Sequence, residues 1–89
     1  MINFKQQELI DNLFKAVKEK YAEVEFLNVT ESPEDPADLW LNITAPADED
    51  REIELSRFAN QISTDILQDY GYLIFVMPRS NGKLASPHA

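Results

Sequence analysis

Arg51-Glu52-Ile53-Glu54-Leu55 (REIEL) admits two readings, and the choice between them sets the fold. Ile53 and Leu55 alternate with acids, which suits a strand paired back on Leu39-Trp40-Leu41-Asn42-Ile43. From Leu55 onward, however, Phe58, Ala59, Ile62, Ile66 and Tyr70 continue the apolar pattern at helical spacing up to Gly71, a helix stop. The unbroken pattern favours a helix, so the chain returns to the sheet by a crossover. After Gly71, Tyr72 to Met77 (YLIFVM) is an apolar run that reads as a strand buried on both faces. Before REIEL, Leu39, Leu41 and Ile43 alternate with Trp40, Asn42 and Thr44, giving a strand with two distinguishable faces that ends before Pro46.

Toward the N-terminus, Val24, Phe26, Leu27 and Val29 form a shorter β-type run over Glu23 to Thr30. Pro33 and Pro36 forbid one continuous strand, and the short connection makes the two strands antiparallel neighbours. Ile10, Leu13, Phe14, Val17 and Tyr21 recur at helical spacing, predicting an amphipathic helix from about Phe4 to Tyr21. Asn3 and Gln6 have the spacing of a capping box, and Lys15, Lys18 and Lys20 gather where cations suit the helix dipole. The expected fold is α+β in the order α-β-β-α-β, a three-stranded mixed sheet with two helices packed on one face. A right-handed crossover makes the last strand parallel to the second, either beside it or beyond the first strand. Residues 1–78 form the single domain, and 79–89, with turn chemistry at Asn81-Gly82, form a loose C-terminal tail.

Composition narrows the function. Eighty-nine residues suffice for one core. Without cysteine, neither a disulfide framework nor a thiolate metal site is available. No run is long enough to span a bilayer, and MINFKQQELID is too polar for a signal peptide, so a cytoplasmic setting is expected. The matches Asn28-Val29-Thr30 and Asn42-Ile43-Thr44 lie in apparent strands and are chance sequons. The net charge is −8, and no Lys or Arg lies between Tyr21 and Asp50, which disfavours nucleic acid and anionic membranes as partners.

Two acidic clusters flank the second strand: Glu31, Glu34, Asp35 and Asp38 before it, and Asp48, Glu49, Asp50, Glu52 and Glu54 after it. A strand of about seven residues spans roughly 23 Å, so the clusters sit at opposite ends of the sheet and cannot share one metal ion. The second cluster starts a helix, where carboxylates meet unpaired N–H groups and the positive end of the dipole. It lacks the glycine of a calcium loop. His88, the single histidine, is penultimate, and Ser32, Ser56, Ser63, Ser80 and Ser86 have no histidine to activate them. No metal or cofactor site is expected, and the chain is expected not to be an enzyme.

From Phe4 to about Pro78, the order helix, strand, loop, Asp-opened strand, helix, then Asp69-Tyr70-Gly71-Tyr72 into an apolar strand resembles minimal nucleotidyltransferases of the DNA polymerase beta superfamily. In that family a Gly-Ser loop binds the triphosphate, two Asp at i and i+2 hold Mg²⁺, and a third carboxylate stands on a later strand. Matched position by position, Ala37-Asp38-Leu39-Trp40 keeps only Asp38, and the second ligand falls at Trp40. Glu31 to Pro36 contains no glycine, and Tyr72 to Met77 offers no carboxylate. The resemblance therefore implies a degenerate site, with Asp38 as the residual metal or nucleotide candidate. The same order also resembles KH-like type II domains, which implies RNA or ribosome association. Their G-x-x-G loop is missing, since only Gly71 and Gly82 occur.

What remains is the uncovered sheet face. If Leu39, Leu41 and Ile43 meet the helices, then Asp38, Trp40, Asn42 and Thr44 point away from them. The last strand adds either Tyr72, Ile74 and Val76 or Leu73, Phe75 and Met77 to that side. The expected interaction surface is Trp40, Asn42, Tyr72, Ile74 and Val76, with a protein partner or a second copy of the chain as its occupant. The expected function is a small, acidic, non-catalytic protein-interaction module.

Overall fold

The computed structural model describes residues 3–35 and 37–79. It contains α1 (Phe4–Lys20), β1 (Phe26–Glu31), β2 (Leu39–Thr44), α2 (Glu49–Tyr70) and β3 (Ile74–Arg79). REIEL lies inside α2. Asp48 caps that helix by accepting from the Asp50 N–H at 3.2 Å, and Glu49, Asp50 and Glu52 occupy its first turn, at the positive end of the dipole. Gly71 ends it in the left-handed region at φ 78°, a conformation that costs glycine nothing. In α1 the capping box is complete: Asn3 Oδ1 accepts from the Gln6 N–H at 2.7 Å, and Gln6 Oε1 accepts from the Asn3 N–H at 3.0 Å. Beyond its other end, Lys18 Nζ donates to the carbonyls of Ala22 and Val24 and pairs with Glu25 at 3.2 Å.

The sheet order is β1-β2-β3, so β3 lies beside β2. β1 and β2 are antiparallel, and β2 and β3 are parallel, with Leu39 opposite Ile74 and Thr44 opposite Arg79. Leu9, Ile10, Leu13 and Val17 of α1, Leu55, Ala59 and Ile66 of α2, and Leu39, Leu41, Ile43, Ile74 and Val76 of the sheet form one buried cluster. Both helices therefore dry the same side of the sheet. Each fully buried aliphatic side chain there contributes about 1.5–3 kcal/mol. No helix among the described residues is long and apolar enough to cross a membrane.

Two expectations about β3 are corrected. It is not buried on both faces, because Ile74 and Val76 are buried while the intervening Phe75 is 39 % exposed. Nor does it span Tyr72 to Met77, because β3 runs from Ile74 through Arg79. The Leu39 N–H donates to the Leu73 carbonyl and the Ala45 N–H to the Arg79 carbonyl, so odd-numbered residues of β3 face β2. The nitrogen of Pro78 then lies on the free edge, where no hydrogen bond is lost. Residues 80–89, including Asn81, Gly82, Leu84 and His88, lie outside the described residues.

The buried stripe of α2 includes Ser63, 3 % exposed, whose hydroxyl has no hydrogen-bond partner among the described residues. Removing an unsatisfied buried hydroxyl relieves a desolvation cost. Ser63→Ala is expected to raise stability by about 1 kcal/mol, read as a higher urea midpoint at unchanged slope. A lower midpoint would show that the hydroxyl is paired in solution.

Candidate interaction face

Strand alternation places Trp40 and Asn42 of β2 on the side away from the helices, opposite Thr30 and Asn28 of β1. The parallel register sets Phe75 beside Trp40, Met77 beside Asn42 and Arg79 beside Thr44. Ile74 and Val76, expected on this face, belong instead to the core. Their registers, Leu39 and Leu41, carry the core residues of β2, and residues paired across a sheet share a face. Tyr72 precedes β3 and packs against the core cluster, its hydroxyl 3.3 Å from Asn3 Nδ2. Phe75, Met77 and Arg79 take the three places on the open face.

Asn42 organises the centre. Its Nδ2 donates to Asn28 Oδ1 at 2.8 Å and to Thr30 Oγ1 at 3.0 Å, and its Oδ1 accepts from Arg79 Nε at 2.9 Å. Both amide hydrogens and the carbonyl are engaged, which is why an asparagine only 4 % exposed is tolerated there. The guanidinium of Arg79 lies over the Trp40 ring, 5.6 Å from its centroid. Leu27, Asn28, Thr30, Pro33, Trp40 and Arg79 border a shallow concavity of about 340 Å³. A β-bulge between Phe26 and Asn28 makes Leu27 the extra residue of β1. That turns Phe26 toward α1, where its ring meets Phe14 edge-on at 5.9 Å, while Leu27 stays 48 % exposed at the rim.

The acidic loop is a turn built from its own polar groups. Asp35 Oδ1 accepts from the Ala37 N–H at 3.0 Å, Ser32 Oγ from the Glu34 N–H at 3.2 Å, and the Asp35 carbonyl from the Asp38 N–H at 2.9 Å. Among the described residues no three His, Cys, Asp or Glu side chains group closely enough to hold a metal ion. The Asp38 carboxylate has no side-chain partner among them, and the chain enters β2 immediately after it.

A wider concavity of about 600 Å³ runs along α2 on the helix side, from Glu54 to Thr64. The Tyr21 and Phe58 rings that line it are already covered by Arg51 and Lys20, at 4.9 Å each. Both rings are thus covered within the chain. Arg51 also clamps the segment after α1, donating to Glu23 through Nε at 2.6 Å and through a terminal nitrogen at 3.0 Å. No protein-family model, characterised protein or solved structure matches this chain.

The Arg51 hydrogen bonds, joined by one from the Glu23 backbone, lower the Glu23 pKa from 4.5 to about 2. A lowered carboxyl pKa adds stability above pH 4.5 that is lost as pH falls through about 2. Glu23→Gln should therefore lower the unfolding midpoint near neutrality, with the gap from wild type closing toward pH 2. An unchanged gap across that range would show that the pair does not form in solution.

Proposed function

We propose that this protein is a non-catalytic interaction module that binds protein through the open sheet face, with a second copy of itself as the occupant. One observation carries the reading. Trp40, Phe75, Met77 and Leu27 surround a satisfied Asn42–Arg79 centre on a face that no described element covers. Aromatic and arginine side chains around a desolvated centre are what protein interfaces concentrate their binding energy on. A net charge of −8, with one basic residue on this face among those described, supports protein over nucleic acid as the partner. A cytoplasmic setting fits a chain without cysteine. On this reading the nucleotidyltransferase-like order of elements is a retained scaffold, with Trp40 binding where that family places a metal ligand.

Sedimentation velocity tests it. Wild type should shift from monomer to dimer as concentration rises, and Trp40→Ala should remain monomeric while keeping its helical circular dichroism. Equal self-association by a folded Trp40→Ala variant would remove this face from the interface.

A further inference from the structure

Charge is distributed unevenly along the open face. Among the described residues Arg79 is the one cation on it, and it forms no ion pair with a described carboxylate. Nε is bound by Asn42 and the guanidinium lies 5.6 Å from the Trp40 ring centroid, while the terminal nitrogens have no hydrogen-bond partner among the described residues. The guanidinium is therefore held near the Asn42 level of β2. Asp38, the residue just before β2, has the sequence parity of Trp40 and Asn42 and stands four residues from Asn42, about 13 Å on at strand spacing. Trp40 is midway between them.

We infer that two copies pack sheet face to sheet face about a two-fold axis perpendicular to the strands at Trp40, with Arg79 of each copy paired to Asp38 of the other. The inference rests on the proposed face and specifies its partner geometry. The operation reverses strand direction and keeps lateral position, so β2 lies over β2 of the second copy. The Asn42 level of one copy then meets the Asp38 level of the other. Two indole rings adjoin the axis, and two cation–carboxylate pairs flank it. Such an isologous contact closes at two subunits, and aligned sheet-on-sheet packing is a standard way to bury a sheet face. The alternative two-fold, along the strands, keeps each residue at its own level and so does not bring Arg79 to the Asp38 level of the other copy.

The test is a charge exchange between chains. Arg79→Glu and Asp38→Arg should each weaken wild-type self-association by about tenfold or more, since each sets like charges against each other twice. An equimolar mixture of the two variants restores both pairs in the heterodimer, so the mixture should dimerise with an affinity near that of wild type. Should Arg79→Glu fail to fold, Asp38→Arg decides alone, because the Asp38 side chain makes no hydrogen bond or ion pair among the described residues. An unchanged dissociation constant for folded Asp38→Arg, or a mixture no tighter than its components, overturns the two-fold arrangement. If Trp40→Ala still weakens that dimer, the face remains the interface and only the register fails. A wild type that stays monomeric at millimolar concentration overturns the second copy as occupant.

Discussion

The alternation of side chains along β2 governs the molecule. Leu39, Leu41 and Ile43 are essentially inaccessible to water, and both helices converge on them. With three six-residue strands and two helices, the described residues have enough apolar surface to dry one side of the sheet and no element left for the other. Every feature of the second side follows from that shortage. Asn42 sits where a fifth apolar residue of β2 would otherwise lie, and it links both neighbouring strands across the centre.

That link also shelters the apolar groups of the face. A bare Trp-Phe-Met surface on a flat sheet invites non-specific association. Here the Trp40 ring is sheltered by the Arg79 guanidinium, and the polar bonds of Asn42 fix Arg79 in place. An interface with a prearranged centre loses little side-chain freedom on binding. The solvated acidic rim opposes promiscuous contact with other acidic proteins. On the proposed reading, the face is partly sheltered when alone and complementary when paired.

Much of the fold was legible in the sequence because its signals are local. The capping box of Asn3 and Gln6, the stop at Gly71 and the helical spacing from Leu55 each specify backbone geometry within a few residues. The acidic turn was legible too, since Asp35 and Ser32 bond to backbone two residues on. The face of β3 was not. All of Tyr72 to Met77 is apolar, so period-two alternation is silent there, and only pairing with β2 sets Ile74 and Val76 inward and Phe75 and Met77 outward. Arg79 was hidden for a different reason. Proline usually ends a strand, yet Pro78 lies with its nitrogen on the free edge, so β3 continues and delivers Arg79 to the face. Without Arg79, the role of Asn42 as its acceptor is invisible, and Asn42 reads as an ordinary outward polar residue.

Trp40 is the sole tryptophan, so its emission reports on the face and on nothing else. Acrylamide quenching of that emission, followed from micromolar to millimolar protein, tests directly whether the face is an interface. Quenching should fall as concentration rises and the indole is withdrawn from solvent. A quenching constant that stays the same across that range would contradict the account.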